Sequence, residues 1–129
     1  MRKLREAGFR LGLVSNADVM EVAAWQESPL AGMFDVEAFS CEVGFVKPEP
    51  EIYSYGLRGI GFEARDCMFV GDGGSRELEG AKALGLGTVL VYGVIQELWP
   101  DVVATRRDLA DHSIRWVPEL LPLVGLAGS

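Results

Sequence analysis

Apolar residues along the chain fall into short continuous runs, and stretches of helical spacing separate them. Residues 2 to 7 look like a helix end stopped by Gly8. "RLGLVS" (10 to 15) carries a short apolar run and predicts a buried strand. Asp18 can cap a helix, with Glu21 three residues on as in a capping box. That helix carries Val19, Val22, Ala23 and Gln26 and ends before Pro29. "VEAFS" (36 to 40) predicts a second strand. Pro50 suits the first turn of a helix that carries Ile52, Tyr55 and Gly59 and ends near Gly61. "CMFV" (67 to 70) predicts a third strand. Ser75 can cap the helix after it, whose inner face is Leu78, Ala81 and Leu84 and whose end is Gly85. "TVLVY" (88 to 92) is a fourth strand. Residues 94 to 112 show no clear period beyond a short helix around 105 to 110. "IRWV" (114 to 117) reads as a last strand, and "PELLPLV" as a closing helix that Pro122 keeps short.

Strands that alternate with helices, and that are apolar on both faces, predict an α/β fold. The expected architecture is a Rossmann-like, mostly parallel sheet with helices on both faces, forming one domain over residues 1 to 129. In such sheets ligands sit beyond the carboxyl ends of the strands. Three sets of polar residues fall there: Ser15-Asn16, Lys47-Pro48 and Asp72.

Composition narrows the partners. The net charge of -7 disfavours nucleic acid and anionic membranes, which need a basic surface. An acidic protein that handles phosphate needs a local cation, from a metal or from Lys and Arg. Cys67 opens an apolar strand and reads as a small core residue; no disulfide with Cys41 is expected. The basic N-terminal stretch has too short an apolar run for a signal peptide or a membrane span, so the expected location is cytoplasmic.

Each polar set has a plain reading and a chemical one. Ser15 and Asn16 suit a helix-entry turn; they also suit a phosphate oxygen, through a hydroxyl and backbone N–H groups. Lys47 is either a surface lysine or a cation that neutralises a phosphate or a carboxylate nucleophile. Asp72 and Glu77 flank a glycine turn. They read as a turn residue and a helix first-turn acid, or as ligands for a hard cation such as Mg2+. The buried strand before Asp72 favours the chemical reading for that residue. "GDGGSR" is not a dinucleotide loop, because Arg76 takes the last glycine position of that pattern and a carboxylate inside the loop repels a pyrophosphate. His112 receives no role, and Trp25, Trp99 and Trp116 read as packing residues.

"LGLVSNAD", "FSCEVGFVKPEPEIY" and "FVGDGGSRELEGAKALG", in this order and spacing, closely resemble the second, third and fourth motifs of the haloacid dehalogenase superfamily. "EVGFVKPEPEIY" matches its phosphatase-like branch, and the resemblance runs from about residue 1 to about residue 125. It implies Mg2+-dependent hydrolysis of a phosphate monoester through an aspartyl-phosphate, with a small phosphorylated molecule as substrate. Ser15 would bind the transferring phosphoryl group, Asn16 would line the same site, and Lys47 would balance charge between nucleophile and phosphate. Asp72 would ligate Mg2+, with Glu77 as second acid in the metal's outer shell. Arg76 stands where many relatives carry an acid, which leaves Glu77 alone for that second role.

The departure lies at the start. The family's first motif is an Asp-x-Asp at the end of an earlier strand, and residues 1 to 129 contain none. Asp35-Val36-Glu37 is the nearest look-alike, but it precedes the second strand, where the family has a non-catalytic "FD". The cap that selects substrate in the family is absent too. The resemblance therefore implies the C-terminal part of such a hydrolase, inactive alone. The alternative is a pseudoenzyme or binding domain for a phosphorylated ligand or a partner chain. In the family the nucleophile strand lies between the strands that end at Ser15 and Asp72. Without it those central strands have unpaired edges, which predicts self-association or pairing with a missing N-terminal segment.

Overall fold

A computed structural model of the protein describes residues 1–126. The chain divides into two compact units, Met1–Glu63 and Ala64–Ser129. Both are α/β and both are built on parallel strands, as the alternating pattern predicts.

In the first unit, α1 (Arg2–Glu6) leads to β1 (Gly12–Ser15), α2 (Val19–Gln26), β2 (Val36–Phe39), α3 (Ser40–Val43) and α4 (Pro50–Ile60). β1 and β2 pair in parallel, from Gly12 opposite Val36 to Ser15 opposite Phe39. Asp35 pins the start of this ladder. Its Oδ2 accepts the Leu11 N–H at 2.8 Å, and its own N–H donates to the Leu11 carbonyl at 2.6 Å. Asp35 is thus a strand-entry residue, which agrees with setting it aside as a nucleophile. The Asp18–Glu21 capping box forms in full. On α2 only Val22 is buried, and Val19 and Met20 stand in solvent.

α4 presents Ile52, Tyr53 and Gly56 to the sheet, so the buried tyrosine is Tyr53 and not Tyr55. Glycine lets the helix come close. A Cβ at Gly59 would run into the Val36 side chain, and one at Gly56 would sit 3.2 Å from Val14 Cγ2. α3 has no counterpart in the sequence reading, because four residues are too few to show a period.

In the second unit, β3 (Met68–Gly71) runs through a short 3-10 turn into α5 (Glu77–Ala83). β4 (Gly87–Val91), α6 (Gly93–Leu98), α7 (Val103–Leu109), β5 (His112–Ile114) and α8 (Leu120–Leu123) follow. The sheet order is β3-β4-β5, all parallel. Central β4 is the most deeply buried, with Thr88, Val89 and Leu90 fully inaccessible. Leu78, Leu90 and Ile95 form a core that Phe69, Tyr92, Val102, Val103 and Ala110 surround.

Several expectations shift here. β5 lies two residues earlier than predicted, because Asp111 locks its start to Thr88. The Asp111 Oδ2 accepts both the Thr88 N–H and its hydroxyl, at 2.9 and 3.1 Å. The region without a clear period holds α6 as well as α7. Trp25 packs on Phe34 and Phe39 as expected, and Trp116 lies half-covered with its ring against Gly93, but Trp99 is largely exposed. No helix among the described residues is long and apolar enough to cross a membrane.

Candidate active site

The sequence places Ser15 and Asn16 at the carboxyl end of β1, and Lys47 in the loop before α4. The first unit joins them. The Asn16 side chain grips the backbone of Lys47 from both sides: its Oδ1 accepts the Lys47 N–H at 2.7 Å, and its Nδ2 donates to the Lys47 carbonyl at 3.3 Å. One carboxamide thereby fixes a residue 31 positions away. The Lys47–Pro48 peptide is cis. A second closure follows, because the Val46 N–H donates to Glu49 Oε1 and the Glu49 N–H donates to the Val46 carbonyl, both at 2.7 Å. Lys47 therefore projects from a short loop held at both ends, and its ammonium has a defined origin.

Ser15 is the last residue of β1. The turn after it is tied by Ser40, whose hydroxyl accepts the Ala17 N–H at 2.9 Å and donates to the Ala17 carbonyl at 3.1 Å. Ser40 falls inside the second of the three motifs, yet its neighbours in sequence assign it no task. Its link to Ala17 spans 23 residues and leaves no local signal.

Asp72 and Glu77 lie in the second unit, at the exit of β3. Asp72 Oδ1 accepts the Gly74 N–H at 2.9 Å, a local turn that ties the carboxylate to the backbone just past the strand end. Glu77 is buried, and its Oε2 accepts the Gly73 N–H at 2.9 Å. Ser75 and Arg76 both have left-handed backbone, at φ 55° and 53°, and Arg76 occupies the N-cap position of α5. Ser75 therefore does not cap the helix. Its preference for that role yields to the turn that carries Asp72, and two consecutive left-handed L-residues mark a strained segment beside a candidate site. Arg76 pairs with Glu79 at 2.9 Å.

The glycines around Asp72 now have separate reasons. A Cβ at Gly71 would collide with the Glu77 carboxylate. Gly73 is left-handed at φ 88°, and a Cβ there would lie 2.7 Å from Arg106 Cδ. The chemistry of the donors fits a hard cation, since Asp72 offers carboxylate oxygen where the strand ends. Among the described residues no group of three or more His, Cys, Asp or Glu side chains gathers as a complete metal cage. Asp72 offers one carboxylate at this strand end, and Glu77 holds the Gly73 N–H of the loop that carries it.

The profile of the haloacid dehalogenase-like hydrolases matches residues 1–85, about two thirds of the chain. The chain belongs to this hydrolase family. The glyceraldehyde 3-phosphate phosphatase of Methanocaldococcus jannaschii is 28% identical over 128 residues, which is 96% of this chain and 53% of that protein. Pyrophosphatase PpaX of Halalkalibacterium halodurans is 31% identical over 130 residues, covering 98% and 57%. The crystal structure of a HAD phosphatase from Thermococcus onnurineus superposes with a TM-score of 0.83 at 28% identity, covering 99% of this chain and 56% of that one. The chain thus spans about half the length of the haloacid dehalogenase-like relatives it matches.

Proposed function

We propose that this chain carries the phosphate- and metal-handling residues of a phosphate monoester hydrolase and does not turn over substrate by itself. The observation that carries the reading is the Asn16 grip on the Lys47 backbone, which ties the residue that bears the cation to the strand end that bears Ser15. A lysine with a merely solvated role needs no such tether. The relatives named as glyceraldehyde 3-phosphate phosphatases support a phosphate ester as substrate.

Ser15 would donate its hydroxyl proton to a phosphoryl oxygen. Lys47 would neutralise charge as the phosphate meets an attacking carboxylate, where a preorganised cation lowers the barrier. Asp72 would hold Mg2+ directly, with Glu77 behind it keeping the loop in place. When bound, the ion would stabilise the developing charge on phosphoryl oxygens. The attack itself has no group here, since residues 1–129 contain no Asp-x-Asp to form an aspartyl-phosphate. β1 is an edge strand of its sheet, and its outer ladder would suit an upstream strand or a second copy.

The same missing motif favours one second reading, a domain that binds a phosphorylated ligand without cleaving it. An assay of the 129-residue chain with a generic aryl phosphate and Mg2+ tests the proposal. We expect no turnover above a Lys47→Ala, Asp72→Asn control. Robust Mg2+-dependent hydrolysis by this chain would overturn it. Tight phosphate binding that Lys47→Ala abolishes would favour the binding domain.

A further inference from the structure

Arg106, on α7, touches the Asp72 loop in a way the sequence does not announce. Its Nη1 donates to the Asp72 carbonyl at 2.8 Å, and its Cδ and Cγ lie against the open face of Gly73. The N–H of Gly73 belongs to the same peptide group as that carbonyl. It is the N–H that donates to Glu77 Oε2 at 2.9 Å. One peptide plane is therefore held at both ends, by a guanidinium on its oxygen and a carboxylate on its hydrogen. Each charge faces the complementary end of the peptide dipole, and both hydrogen bonds are of the strong, charge-assisted kind.

We propose that Arg106 and Glu77 form a charge clamp on the Asp72–Gly73 peptide, with Arg106 a positioning residue that sets the direction of the Asp72 carboxylate. The reasoning is geometric. Fixing that plane in space fixes the direction of the Asp72 Cα–C bond and so φ of Asp72, the backbone rotation that would otherwise swing its Cβ and carboxylate away from the strand axis. Strand β3 anchors the loop on one side. On the other side the backbone is left-handed at Ser75 and Arg76 and needs outside support to persist. Gly73 completes the device, because any side chain there would push the Arg106 stem off the loop. The role toward a cation rests on the reading that Asp72 is a metal ligand; the clamp itself does not.

Two substitutions separate the charge of Arg106 from its packing. Arg106→Met keeps an apolar stem over Gly73 and loses the donors. Arg106→Lys keeps a charge and a donor. Amide exchange at Gly73 reads the clamp, and exchange at Val89 and Leu90 in β4 controls for overall stability. Paramagnetic broadening of the Asp72–Gly74 amides by Mn2+, as a stand-in for Mg2+, reads the carboxylate. In Arg106→Met we expect Gly73 protection to fall about tenfold, the factor that one charged hydrogen bond carries, with β4 unchanged. The Mn2+ midpoint should rise several-fold, and Arg106→Lys should recover most of both effects. Unchanged Gly73 exchange in Arg106→Met overturns the clamp. So does equal loss in the Met and Lys variants, which would show that the charge and donor Lys retains do not hold the peptide. If Mn2+ fails to broaden these amides in the unmodified chain, the metal reading fails, and Gly73 exchange alone then decides for or against the clamp.

Discussion

Adding one methyl group at Gly71 should disable the loop that carries Asp72. The new Cβ would point into the Glu77 carboxylate, with Cδ at 2.8 Å, and would lie 3.2 Å from Phe69 Cε1. Glu77 is 4% exposed, so the carboxylate cannot simply swing into water. Overpacking of this kind costs about 1–3 kcal/mol. If Glu77 is expelled, its bond to the Gly73 N–H goes too, at about 1.5–3 kcal/mol for a charged hydrogen bond. Gly71→Ala should therefore destabilise the chain by roughly 3 kcal/mol, a large share of the roughly 5–15 kcal/mol typical of a domain. Urea unfolding followed by circular dichroism measures the loss. A double-mutant cycle identifies its source. In a Glu77→Ala background the methyl meets no carboxylate, so Gly71→Ala should cost little there, with a coupling of at least about 1 kcal/mol. A Gly71→Ala variant within about 0.5 kcal/mol of the parent, the usual range for an inconsequential surface change, would refute the reasoning. Strict additivity in the cycle would refute it as well.

Asn16→Ala removes both bonds to the Lys47 backbone; because Asn16 is exposed, the expected loss is only about 1 kcal/mol in urea. Faster amide exchange at Lys47 is the sharper readout of that variant, and unchanged exchange would count against the tether. Stability should also fall in acid. The Leu11 N–H, and then the Arg5 and Arg10 guanidiniums, hold the Asp35 carboxyl below its usual value; the Thr88 N–H and hydroxyl, helped by Lys82, do the same for Asp111. Depressed folded-state values mean that both contributions are present above the ordinary aspartate value of 3.8 and are lost as pH falls through the folded ones. Urea midpoints between neutral pH and pH about 3 should drop less in an Asp35→Asn, Asp111→Asn variant than in the parent, and equal drops would contradict the assignment.

What the sequence reveals about this fold depends on how local each cause is. Strands β1 to β4 are legible because each is a short stretch rich in apolar residues, and the Asp18–Glu21 box is spelled out within four residues. Gly61 and Gly85 stop helices where left-handed backbone is required, at φ 78° and 91°. The pattern points to Tyr55 where the structure buries Tyr53, because a helix only 11 residues long has too few turns to fix its buried face. Ser75 was misjudged because its capping preference is a local average, while the Asp72 turn is set by groups outside it. Arg106 acts from 34 residues away on a backbone carbonyl. Nothing in an Arg-Arg pair on a short helix announces such a contact. The residues of the candidate site were legible as motif positions; the side chains that hold those positions were not.

The central claim is that this chain supplies the phosphate- and metal-handling groups of a hydrolase whose attacking carboxylate lies outside residues 1–129. It is tested most directly by joining a strand that bears Asp-x-Asp upstream of Met1 and assaying Mg2+-dependent aryl phosphate hydrolysis. The account predicts that the extended chain gains activity absent from residues 1–129, that Asp72→Asn abolishes it, and that Lys47→Ala lowers it by about a hundredfold or more, the cost of removing one preorganised charge-stabilising group. Activity in the extended chain that survives Asp72→Asn and Lys47→Ala would contradict it.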